Sequence, residues 1–193
     1  NGCGAMHKYL ALEEQYPQYA GACVWDYVDQ ALWVTAPNGK KRLAYGGDFG
    51  DFPHDGNFCV DGLCYPDRTP HTGLKEAKQV YRPIRIENIG NGEFKFKNIL
   101  KFADASDLFN CRFEITDFRG IVANGSVDFE LLADSECIVK IADAMDTFEN
   151  ETYIRFVFTA KADTLYWKKG FEVCFDQLLL GGNKPEFVPC TDG

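Results

Sequence analysis

The run AGACVWDYV, Ala20 to Val28, decides how the first part of the chain is read. Its first half is apolar almost throughout, and Trp25 and Asp26 follow at its end. A short apolar run of this kind suits a strand covered on both faces, as in a parallel sheet. Before it, MHKYLALEEQY (Met6 to Tyr16) places Met6, Tyr9, Leu10 and Leu12 at three-to-four spacing with no Gly or Pro. That spacing predicts a helix, which Pro17 ends. After it, ALWVTAPNGKKRLAY predicts a hairpin turning at Asn38-Gly39. A long aperiodic loop then runs from Gly46 to His71. GLKEAKQVYRP (Gly73 to Pro83) predicts a second helix, with Leu74, Ala77 and Val80–Tyr81 on one face. Helix, buried strand, loop and helix make a piece of an α/β array. One strand makes no sheet, so residues 1–83 are expected to complete a barrel or sheet whose other strands lie elsewhere.

The pattern changes at Pro83. KFKNILKF, CRFEIT, VDFELL, CIVKI, YIRFVFTA and FEVCFDQLLL alternate with period two. The turn signals between them include Gly90-Asn91-Gly92, Arg119-Gly120 and Asn124-Gly125. Six to eight such strands in about a hundred residues predict an antiparallel β-sandwich. The expected division is residues 1–83, a sandwich over 84–181, and a linker over 182–193, an α+β chain overall.

Composition narrows the partners. The 193 residues carry a formal net charge of -9, which opposes nucleic acid and anionic membrane surfaces. A neutral sugar is compatible with it. No run of about 18 apolar residues appears, so no membrane span is expected. The sequence begins NGCGAMHKY, without an initiating Met, and reads as the middle of something longer. Eight scattered cysteines in a chain of ordinary size are expected to be reduced and mostly buried.

Several constellations could carry chemistry. Cys59 and Cys64 with His54 and His71 suggest a zinc loop, but structural zinc sites favour closer cysteine pairs in two knuckles. The three histidines come with no nucleophile elbow or Cys-His signature. Asp26, Asp29, Asp48, Asp51, Asp55, Asp61 and Asp67 crowd the strand and loop. Paired carboxylates can run glycoside hydrolysis, and the same residues make turns equally well. Trp25 stands at a strand's C-terminal end, where barrels build their active sites. There it would give a flat apolar surface to an amphipathic ligand; elsewhere it would be an ordinary core residue.

VWDYVDQ, YGGDFGD, NFCVDGL and DRTPH occur in that order, and with GFEVCFDQLLL they resemble the LacZ-type β-galactosidases of glycoside hydrolase family 2. The resemblance implies the C-terminal piece of a (β/α)8 barrel followed by an immunoglobulin-like β-sandwich and a linker to a further domain. It implies a retaining enzyme acting on terminal β-galactosides, whose acid/base and nucleophile glutamates lie upstream of Asn1. No catalytic residue is therefore expected here, and Glu13, Glu14 and Glu76 are not substitutes. Trp25 matches a residue lining the galactose subsite, with a cis peptide bond to Asp26. Phe58 matches a residue whose backbone carbonyl binds sodium near the galactosyl 6-hydroxyl. Asp61 matches a sodium ligand that also contacts the sugar; some relatives have Asn there. The carbonyls of Tyr16, Pro17 and Tyr19 match a peripheral sodium site, and Asp48, Asp51 and Arg68 are expected to brace the loop. Magnesium is expected in the parent enzyme with ligands outside this chain. The expected partners are the substrate and the rest of the parent polypeptide, in a homo-oligomer that is cytoplasmic or periplasmic. Two other readings stand beside this one: a non-catalytic sandwich for carbohydrate binding or assembly, and a zinc loop.

Overall fold

Helix α1 runs from Met6 to Gln15 and buries no residue. In this computed structural model, which describes residues 3–56, 58–145 and 147–184, it belongs to the first of two units, residues 1–81 and 82–193. Strands β1 (Leu32–Thr35) and β2 (Lys41–Ala44) pair antiparallel, Leu32 opposite Ala44. The turn at Asn38-Gly39 follows from Gly39 at φ 77°, a conformation a Cβ would disfavour. Helix α2 spans Thr72–Val80 and buries Ala77 and Val80, the face that the spacing predicts.

The strand expected over Ala20–Val28 is absent from the described structure. Residues 20–27 are irregular, and only Val28 makes a bridge, parallel to Cys64. The reason is physical. A central parallel strand takes its ladder from neighbours on both sides, and the described part of the first unit gives this segment only the loop 59–64, at its end, so Val24, Trp25 and Tyr27 stay exposed. The described part of this unit forms no barrel.

The second unit is a sandwich. Its strands are β3 (Ile84–Gly90), β4 (Glu93–Asn98), β5 (Phe109–Asp117), β6 (Gly120–Val127), β7 (Glu136–Lys140), β8 (Thr152–Ala160) and β9 (Glu172–Gly181), with a short helix α3 (Ala105–Leu108) before β5. One sheet has the order β3-β4-β7 and the other β6-β5-β8-β9. Every pairing is antiparallel. Alternation sends Phe94 and Phe96 inward from the first sheet and Phe113, Phe156 and Phe158 inward from the second. The Phe156 ring meets Phe94 and Phe96 edge-on, centroids 5.0 and 5.1 Å away. Each fully buried ring contributes about 1.5–3 kcal/mol of transfer free energy.

Two buried polar groups fix the frame. Asp176 on β9 accepts from Arg82 Nε at 3.1 Å and from the Ile86 amide at 3.0 Å, tying β3 to the other sheet. Asn98 donates through Nδ2 to the Ala103 and Leu132 carbonyls, both at 2.9 Å, and accepts from the Leu100 amide.

Three strand expectations need correction. IRIENIG forms β3 although its period is weak, because Ile84 and Ile86 are the residues that reach the core. VDFELL (127–132) is not a strand: β6 ends at its first residue, Val127, and residues 128–132 are irregular. Asn124-Gly125 is no turn but lies inside β6, paired with Glu114 and Phe113. Gly125 is there for space: a Cβ would stand 2.8 Å from Phe113 Cε1. Of the expected linker, only residues 182–184 are described, with Asn183 bridged to Asn150.

Seven cysteines lie among the described residues. Cys59, Cys64, Cys111 and Cys174 are buried, Cys3 and Cys137 are half-buried, and Cys23 is exposed. Burial pushes the Cys111 thiol far above its ordinary pKa, as suits a small core residue. Cys190 lies outside the described residues.

Candidate functional site

The segment 26–30 and the loop 59–64 are laced together by their backbones. The Asp26 amide donates to the Asp61 carbonyl (3.0 Å) and the Leu63 amide to the Asp26 carbonyl (3.0 Å). The Cys64 amide donates to Tyr27 (3.0 Å), Asp29 to Cys64 (2.9 Å) and Gln30 to Cys59 (2.8 Å). A loop rich in Gly and Pro thus gains the ladder that its sequence period does not announce. Gly62 sits so close to the first segment that a Cβ would fall 2.2 Å from the Asp29 nitrogen. No other residue fits there without displacing the backbone.

This lacing puts Trp25, Phe58 and Asp61 on one cavity of about 900 Å³, with Val24, Val60 and His71 among its other walls. Trp25 is 75% exposed and Phe58 68%. Asp61 is exposed as well. Two large apolar rings stand beside a carboxylate, all open to solvent, an arrangement that an amphipathic ligand can use. The Trp25–Asp26 peptide bond is cis. Gln30 Nε2 and the Tyr27 amide donate to the Asp26 carboxylate and hold its pKa below the usual carboxylate range.

Other expected residues take smaller parts. Asp48 accepts from Arg42 Nη1 at 3.1 Å and from the Tyr45 amide at 3.2 Å, closing the end of the hairpin. The Tyr45 amide first, and Arg42 next, lower its pKa. Arg68 adopts φ 73° and donates to the Pro66 carbonyl. With Asp51 it lines a second cavity of about 690 Å³, which shares Phe58 with the first. The Tyr16 carbonyl accepts from the Tyr19 amide at 2.9 Å.

His54 accepts from the Gly56 amide and its ring packs on Gly47, while Cys59 and Cys64 are buried. Among the described residues no three His, Cys, Asp or Glu side chains converge as metal ligands, so the zinc loop has no ligand set there. Trp167 packs against Phe109, ring centroids 6.1 Å apart, beside the sandwich core. It is a core residue rather than a sugar platform.

Two residues gain importance that sequence reading did not give them. Asp29 is a buried carboxylate, only 6% exposed. Glu76, set aside as a helical surface residue, stands on the wall of the Trp25 cavity with Cys3. The signal for Asp29 was present in VWDYVDQ, since the alternation that exposes Trp25 is broken there, but no period distinguishes a buried aspartate from a turn.

Residues 1–86 match the family described as glycosyl hydrolases family 2, TIM barrel domain. Residues 94–181 match beta-galactosidase, domain 4. The chain is 36% identical over 180 residues to a beta-galactosidase of Halalkalibacterium halodurans, covering 92% of this chain and 18% of the relative. It is 34% identical over 182 residues to one of Clostridium acetobutylicum, covering 93% and 20%. It is 42% identical over 125 residues to one of Actinobacillus pleuropneumoniae, covering 65% and 12%. The chain therefore spans a fifth or less of the length of these relatives. Among its described residues no helix is long and apolar enough to cross a membrane.

Proposed function

The chain belongs to the LacZ-type β-galactosidases of glycoside hydrolase family 2, and on that premise we propose that it is the segment of a retaining β-galactosidase that walls the galactose subsite. The observation that carries this reading is the convergence of Trp25, Phe58 and Asp61 on one open cavity. Residues 1–83 are then the last part of the catalytic barrel, and 84–181 the immunoglobulin-like domain that follows it in the chain. The split into three-stranded and four-stranded antiparallel sheets supports that label.

In the reaction two glutamates outside this chain do the bond-making. One protonates the leaving oxygen, the other forms and then releases the galactosyl-enzyme. The residues here bind and orient. The indole face of Trp25 packs against the CH face of the sugar and excludes water from it. The Phe58 carbonyl and the Asp61 carboxylate are hard oxygen donors three residues apart on a laced loop, a donor set that fits sodium. When bound, that ion offers a positive charge to the galactosyl 6-hydroxyl. Asp61 also accepts a hydrogen bond from the sugar. Where relatives carry Asn, the carboxylate here adds a formal negative charge, which favours a hard cation.

The hydrolysis of a nitrophenyl β-galactoside tests the division of labour. The purified 193-residue chain is expected to give no turnover above buffer, and the complete parent polypeptide to hydrolyse it readily. Clear turnover by the isolated chain would contradict the placement of both glutamates outside it.

A further inference from the structure

The Asp61–Gly62 peptide is held at both ends. Its carbonyl accepts from the Asp26 amide at 3.0 Å, and its N–H donates to Asp29 Oδ1 at 2.8 Å. The second bond adds a side-chain rung to the backbone rungs described above, and it is made to the buried Asp29. The other carboxylate oxygen, Oδ2, lies 3.2 Å from His71 Nε2. That ring nitrogen is buried and makes no aligned hydrogen bond. The His71 amide in turn donates to the Leu63 carbonyl at 2.9 Å, and its ring stands edge-on against Tyr65. Asp29 therefore bridges the residue that follows Asp61 and His71, the last residue of the long loop.

We propose that Asp29 is a positioning residue: by fixing the Asp61–Gly62 peptide, it aims the Asp61 carboxylate and holds it in register with Trp25. Gly62 makes the clamp possible, because any side chain there would collide with the Asp29 backbone. The inference rests on the proposed sodium and sugar roles of Asp61 for its consequence, and on the geometry alone for the clamp.

Two measurements test it. In the full 193-residue chain, in sodium-free buffer, amide hydrogen exchange is followed residue by residue. Asp29→Ala is expected to speed exchange at Gly62 at least tenfold, whereas Asp29→Asn, which keeps an acceptor oxygen, stays near the parent chain. Unchanged protection of Gly62 in Asp29→Ala would overturn the clamp. In the complete enzyme, Asp29→Ala is expected to raise the half-saturating sodium concentration and the KM for a nitrophenyl galactoside by about 10–100-fold, the usual cost of losing a group that orients a metal ligand. Excess sodium is expected to restore kcat. If Asp29→Ala does not fold, Asp29→Ser, whose hydroxyl falls short of Gly62, is read by the same two measurements. A parent enzyme without sodium response would sink the sodium role of Asp61. A responsive parent with an unresponsive Asp29 variant would sink only the positioning role.

Discussion

Gly125 illustrates what a single residue type conceals. In sequence, Asn-Gly announces a turn. In the structure it lies mid-strand, and the glycine makes room for the Phe113 ring. Space, not backbone freedom, selects the residue, and space depends on a partner ten or more residues away that no local window contains. Gly125→Ala is expected to cost about 1–3 kcal/mol by overpacking a filled core. Urea unfolding of the chain, followed by far-ultraviolet circular dichroism, measures it; a midpoint equal to the parent's would mean the ring relaxes freely. Trp25, Phe58 and Asp61 were legible in the opposite way. Composition and period favoured a structural reading for Trp25 and for Asp61 and singled out nothing at Phe58, and only the ordered motifs around them pointed to a shared site.

At the scale of elements, alternation worked wherever one face is buried and the other wet. β5, β8 and β9 lie where their period puts them, because each sends Phe, Ile or Cys to one core and polar residues out. The method failed where an element depends on neighbours. AGACVWDYV has the composition of a central strand, yet a strand exists only by its ladder, and the first unit offers it a single bridge to Cys64. β3 escaped notice because its outward half, Glu87 to Gly90, is exposed and aperiodic. It is held by the reach of Asp176 across from β9. Removing that carboxylate leaves the Ile86 amide and the Arg82 guanidinium without this acceptor. Asp176→Ala is therefore expected to destabilise the sandwich by about 3 kcal/mol, in the range for breaking a buried pair. The same denaturation experiment reads it, and a loss below about 0.5 kcal/mol, typical of surface substitutions, would show that the two sheets do not depend on this tie.

The whole molecule divides its labour between two units of different character. The sandwich has a continuous aromatic core, whereas the first unit exposes Trp25, Tyr27, Trp33, Phe52 and Phe58. Large uncovered rings are what a piece of a barrel would present once separated from its other strands. The central claim is that one of those rings is there for the substrate. Steady-state kinetics of the complete enzyme with Trp25→Leu, beside Trp33→Leu on β1 as a control that does not line the Trp25 cavity, tests it most directly. Losing the flat apolar wall is expected to cost about 2 kcal/mol, a fall of about 30-fold in kcat/KM for a nitrophenyl β-galactoside. Trp33→Leu is expected to stay within about threefold. A Trp25 variant that stays within the same threefold would contradict the assignment of this cavity to the galactose subsite.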